Sequence, residues 1–173
     1  MQENKLIKAL VLNAQLGNNS AFEQLYQMTI QQIYILTTRL SGNLSAAGKL
    51  TKIAYVNAWQ TVSQKDEKTT FANWLKKITA ETVLSEKSKN NLDKLNAGDD
   101  DPVLKEYEEI FFNQHPLEKA IRNLEFDDKL VFTLHDLENM SYEDISKITG
   151  KTINELKSLL TKARESLIIL VEE

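Results

Sequence analysis

Residues 141–167, SYEDISKITGKTINELKSLLTKARESL, decide the fold of this chain. They read as two short helices joined by a tight turn. Ser141 offers a hydroxyl that can accept from a free backbone N–H, and Asp144 follows three residues later. Gly150 ends this helix where a left-handed residue is cheap only for glycine. Thr152 and Glu155 repeat the capping box and open the second helix. Ile153, Leu156, Leu160, Ala163 and Leu167 then recur every three or four residues as one buried stripe. The opposite face carries Asn154, Lys157, Ser158, Thr161, Lys162 and Arg164. Helix, glycine turn, and a second helix with a basic, amide-bearing outer face is the layout of a DNA-reading helix-turn-helix. The bland competing reading is a pair of capped helices that simply pack.

The rest of the chain bounds that choice. Its 173 residues are enough for one or two small domains with real cores. With 42% apolar and 27% charged residues it has the composition of an ordinary globular protein. There is no cysteine, which excludes a disulfide framework, a thiolate nucleophile and a cysteine-ligated metal. No apolar run approaches membrane-spanning length, and the N-terminus lacks a signal-peptide core, so a cytoplasmic protein is expected. Five glycines and two prolines leave little for hairpins or phosphate-cradling loops, so the fold class is all-α. Charge is uneven. Residues 1–90 carry eleven Lys and Arg against six Asp and Glu, residues 91–116 two against seven, and residues 117–173 eight against twelve. The basic front half can meet a polyanion although the whole chain is acidic.

In chain order, helices are expected over residues 4–17, 21–40, 45–62 and 71–89, with Ser20 and Thr70 as N-caps of the second and fourth. The second is apolar nearly all round after Ile30 and belongs at the centre of a bundle. These four make the first domain, residues 1–89. Residues 90–116 are an acidic linker, NNLDKLNAGDDDP followed by a short apolar stretch that reads as a docked helix. Residues 117–173 form the second domain, with two short helices before the helix-turn-helix. Trp59 reads as core. Trp74, beside Lys76 and Lys77, is the candidate for an exposed base-stacking ring.

Enzyme chemistry finds no purchase. His115 and His135 are far apart, and His135 reads as a surface imidazole. No HExxH, GxSxG or phosphate-loop pattern occurs. The run Asp99–Asp101 has no metal-ligand spacing and reads as solvated linker. No catalytic residue, metal or cofactor is expected.

With both halves in view, the chain resembles the small two-domain bacterial RNA polymerase sigma factors of the extracytoplasmic-function (ECF) type. The match is strongest over residues 124–167, LEFDDKLVFTLHDLENMSYEDISKITGKTINELKSLLTKARESL, with its S-Y-E-acid-I opening and K-S-x-L-x-basic-A-R helix. In the first half, Tyr55-Val56-Asn57-Ala58-Trp59 and Phe71-Ala72-Asn73-Trp74-Leu75 match the family's aromatic landmarks. The resemblance implies core RNA polymerase and promoter DNA as partners, an anti-sigma factor as a further one, and a monomer. It implies DNA contacts from Thr152, Asn154, Glu155, Lys157, Ser158, Thr161, Lys162 and Arg164, and from Trp74, Lys76, Lys77, Lys87 and Lys89. Polymerase contacts are implied at Lys49, Lys52, Ile53 and Asn57.

The chain departs from the family at that last surface. Lys49, Lys52 and Ile53 stand where the family carries Asp, Gln and Glu, and like charges repel across an interface. After Trp74-Leu75 the family's Asn, Asp and arginines give way to Glu81, Ser85, Ser88 and Lys89. Two readings follow: a divergent sigma factor, or a degenerate sigma-like protein that binds a protein partner such as an anti-sigma factor without promoter activity.

Overall fold

The computed structural model describes residues 4–92, 95 and 115–172. Among the described residues there are helices and no strand. The first half holds α1 (Lys5–Gln15), α2 (Asn19–Ser41), α3 (Leu44–Thr61), a 3-10 turn over Val62–Gln64, and α4 (Phe71–Ser88). The second half holds α5 (Pro116–Asn123), α6 (Phe126–Phe132) running on into a π turn over Thr133–Leu137, α7 (Tyr142–Thr149) and α8 (Ile153–Glu172).

Local chemistry sets the helix ends. Asn4, Asn18, Asn43, Thr70 and Ser141 each accept a backbone N–H at an N-cap. The second helix starts earlier than its sequence suggests: Asn18, not Ser20, is the cap, accepting from Ala21 at 3.1 Å. An amide oxygen placed at Asn18 satisfies the first turn before Ser20 is reached. Gly42 and Gly150 close α2 and α7 in the left-handed region, at φ 65° and 72°.

Helix α2 is the axle. It packs on α1, α3 and α4 on one side and on α5 and α6 on the other. That explains why it is apolar nearly all round: Ile33, Tyr34, Leu36 and Leu40 are buried together with Thr37 and Thr38. The two threonines return their hydroxyls to the carbonyls of Ile33 and Tyr34, at 2.7 and 2.9 Å, so no donor is stranded. One buried cluster runs from Leu10 on α1 through Leu50, Leu75, Ile121 and Leu130 to Leu167 on α8. The first and second halves therefore share a core. The expected boundary at 90–116 and its apolar stretch lie mostly outside the described residues. At the chain's end, Leu167 is buried and Leu170 half-buried, while Ile168, Ile169 and Val171 face outward.

The seam between the halves is also ionic. Arg39 on α2 grips Glu118 on α5 through both its Nε, at 3.0 Å, and a terminal nitrogen. Glu138, after the π turn, takes Lys76 of α4 at 2.7 Å and lies 3.8 Å from Arg39. At the far end of the seam Lys129 of α6 passes over Gly42 and donates to the Arg122 carbonyl at 2.8 Å. A side chain on residue 42 would collide with that lysine.

Candidate nucleic-acid interface

Helix α8, the second helix of the expected helix-turn-helix, is built from its cap. The Thr152 N–H donates to Glu155 Oε2 at 2.7 Å, and the Glu155 N–H donates to Thr152 Oγ1 at 3.3 Å. This reciprocal box holds the Glu155 carboxyl below its usual range, with the Thr152 hydroxyl the chief cause. Glu155 is therefore spent on the helix start, and its charge sits against the positive end of the helix dipole. Leu156, Leu160, Ala163 and Leu167 are buried as one stripe. Thr152, Asn154, Lys157, Ser158, Thr161, Lys162 and Arg164 are all exposed.

The three cations of that face are in different situations. Arg164 makes a bidentate pair with Asp136 on the π turn, both N···O distances 2.8 Å. Asp136 also accepts from the ring nitrogen Nδ1 of His135 at 2.8 Å. Arg164 is the main reason the Asp136 carboxyl lies below its ordinary value, and Asp136 in turn raises Arg164. Lys162 reaches the buried Asp128 of α6 at 2.7 Å, and that hydrogen bond raises the Lys162 ammonium. Lys157 has no carboxylate partner among the described residues; its ammonium lies 5.8 Å from the Tyr142 ring centre. His135 differs from the surface imidazole expected. It is half-buried, stacked 4.3 Å from Tyr142 and paired with Asp136.

The first-half candidates split in the same way. Lys76 is engaged by Glu138 across the seam. Lys89 pairs with Glu86 at 2.8 Å, and Lys87 sits 5.1 Å above the Phe126 ring. Trp74 is half-buried and tilted against Phe71, ring centres 5.7 Å apart. It also lines a groove of about 440 Å³ between α3 and α4 with Asn57, Gln60, Gln64 and Lys77. Asn57, expected to face polymerase, is thus beside Trp74 and donates to Thr82 Oγ1 at 3.0 Å. Lys52 is exposed and Lys49 and Ile53 are half-buried on the same helix, α3.

Sequence reading missed Gln60 and Gln64, although their i, i+4 spacing places them on one face with Asn57. It also missed Asp128, Asp136 and Glu138 as partners of the cations, because those pairs join residues far apart in the chain and leave no local pattern.

Among the described residues no three His, Cys, Asp or Glu side chains are grouped to hold a metal, and no helix is long and apolar enough to cross a membrane.

Residues 114–167 match the sequence family described as Sigma-70, region 4. Across most of the chain, the protein is 26% identical to the ECF RNA polymerase sigma factor SigE of Mycolicibacterium smegmatis, covering 85% of this chain and 60% of that protein. It is 24% identical to the ECF RNA polymerase sigma-E factor of Haemophilus influenzae, covering 96% of each. The chain thus spans under two thirds of the length of the mycobacterial relative and nearly all of the other. Two solved structures share the fold. CnrH, in complex with the cytosolic domain of CnrY, superposes with a TM-score of 0.60 at 17% identity, over 97% of this chain and 98% of that one. The sigma factor RpoE of Bartonella quintana, in complex with the anti-sigma factor NepR, gives 0.64 at 20%, over 87% and 96%.

Proposed function

We propose that the chain is an ECF-type sigma factor, a transcription-initiation protein that binds core RNA polymerase and divides promoter DNA between its two halves. The second half takes the upstream element. Its α8 presents Asn154, Ser158 and Thr161 to base edges in the major groove, and Lys157 to a phosphate or a guanine. Arg164 and Lys162 act chiefly through Asp136 and Asp128, holding α8 against α6 at the angle that makes this presentation possible. The observation that carries the reading is the outward polar face of α8, fixed at one end by the Thr152–Glu155 box and along its length by the buried stripe.

The first half takes the opened strand. The α3–α4 groove combines an aromatic edge at Trp74, amides at Asn57, Gln60 and Gln64, and the Lys77 ammonium, which lies 3.8 Å from the Glu81 carboxylate that also lines it. An unstacked base needs a ring to lie on and amides to read its edge, and its phosphate needs a cation. The α3 face around Lys49, Lys52 and Ile53 is the polymerase surface. The division at residues 1–89 and 117–173 follows these two tasks, and the work belongs in the cytoplasm, where polymerase is.

A protein of the anti-sigma class is a further partner. The two solved relatives above were each seen with a bound protein, CnrY or NepR. The second reading, a sigma-like chain that holds such a partner without promoter activity, draws on Lys49 and Lys52, whose charge opposes the family's acidic docking face. One experiment separates the two: a pull-down of purified core polymerase by the full chain at several salt concentrations. Retention of core supports initiation. No retention at low salt leaves the partner-holding reading alone.

A further inference from the structure

The seam between the halves is charge-balanced at one end only. At that end Arg39 and Lys76 face Glu118 and Glu138. At the other end lies a cavity of about 240 Å³, lined from the first half by Asn43, Lys87 and Asn90 and from the second by Glu125, Phe126 and Lys129. Among the described residues, two ammonium groups and one carboxylate line it.

Lys129 is only 6% exposed. Its ammonium makes one hydrogen bond, to the Arg122 carbonyl at 2.8 Å, and has no carboxylate partner among the described residues. An ammonium carries three N–H donors, so two are left over in a buried position. Burial is the main reason its affinity for a proton falls below the usual lysine range; Glu125 opposes that fall, and Lys87 and Arg122 add to it. Lys87 lines the same cavity from α4. Its ammonium lies over the Phe126 ring, and it too has no carboxylate partner among the described residues. Buried cations are ordinarily paired. Here a buried lysine from one half and an exposed one from the other line a hollow with amide side chains and, among the described residues, no second acid.

We propose that this cavity is a binding site for a small phosphate-class anion, held by Lys87 from one half and Lys129 from the other. The hollow is sized for a free phosphate or a short phosphorylated group and is set into the seam, so it does not suit a duplex backbone. Because the ligand touches both halves, it stabilises the arrangement in which they meet, by mass action. In that arrangement Lys76 is held by Glu138, so the anion also withholds Lys76 from nucleic acid. The site itself stands on the seam geometry; only this last consequence rests on the promoter reading.

The test is thermal unfolding of the full chain with inorganic phosphate, and separately pyrophosphate, titrated against chloride at matched ionic strength. The expected result is a saturable rise in Tm with at least one of the two, and none with chloride. Lys87 is exposed, so Lys87→Ala leaves the fold in place and weakens the apparent affinity about tenfold, the worth of one charge-assisted hydrogen bond. Lys129→Met abolishes the response while keeping or raising the unliganded Tm. Lys157→Ala, on the exposed face of α8, leaves it intact. The proposal is overturned by the absence of any saturable response, by an apparent affinity that Lys87→Ala leaves unchanged, or by a response that disappears with Lys157→Ala.

Discussion

Arg164 on the recognition helix closes both ends of its guanidinium on Asp136, 28 residues earlier, at 2.8 Å each. A bidentate pair of this kind fixes direction as well as charge. It ties α8 to the π turn beside α6, so the residue that looks from sequence like a phosphate contact also sets the pose of the helix.

That arrangement predicts different behaviour for two neighbouring cations. Lys157→Ala should weaken specific DNA binding and reduce the salt slope by about one. Arg164→Ala should instead lower stability by roughly 0.5–1 kcal/mol, the range for a largely exposed pair, with a smaller change in slope. Binding isotherms at several salt concentrations and urea melts of both variants check this.

The same pair should be visible in acid. Asp136 is held below its ordinary range when folded. Its contribution is therefore fully present above the unfolded carboxylate value and lost as pH falls through the lower folded one. Between about pH 7 and pH 5 the Arg164 pair should add a constant increment, given the ordinary Asp value near 3.9. Below about pH 4 the gap between wild type and Asp136→Asn should shrink. Urea melts of the two proteins from neutral to acid pH measure that gap.

At the seam, Glu118 is 6% exposed and faces Arg39. Glu118→Gln removes the bidentate partner of the half-buried Arg39 guanidinium and leaves it the longer contact with Glu138 at 3.8 Å. Discounting a fully buried pair for the partial exposure of Arg39, the loss should be about 1–3 kcal/mol. Small-angle scattering should show the halves separating more readily, and rising salt should enhance the effect. An unchanged scattering profile in the variant at high salt would count against an ionic seam.

Gly42→Ala should also destabilise the seam. The residue sits at φ 65°, which costs about 1 kcal/mol for a side chain, and the new methyl meets Lys129. Gly150→Ala has the same backbone penalty at φ 72° but open space around it. Chemical denaturation should therefore place Gly42→Ala below Gly150→Ala in stability.

Much of this molecule could be read from the chain alone. Ser141, Gly150, Thr152 and Glu155 announce the helix-turn-helix because caps and left-handed turns are local chemistry. The stripe from Leu156 to Leu167 announces its buried side because helical periodicity is local too. The run after Ile30 revealed α2 as central, since a helix apolar on every side must be covered on every side. Lys76 with Glu138, Lys162 with Asp128, and Trp74 with Gln64 were not legible. Each depends on how elements meet, and an exposed-looking charge has the same sequence signature whether it meets water or a carboxylate. Asn18 and Ser20 are both good capping residues, and spacing alone does not choose between them.

The central claim is that α8 reads a promoter while the first half engages polymerase. Reconstituting the full chain with purified core enzyme, selecting bound sequences from random DNA, and running transcription on them measures it most directly. The account predicts discrete start sites, a recurrent upstream element, and loss of that element's selection with Asn154→Ala and Lys157→Ala. Transcripts indistinguishable from core enzyme alone, or an element still selected by the double variant, would contradict it.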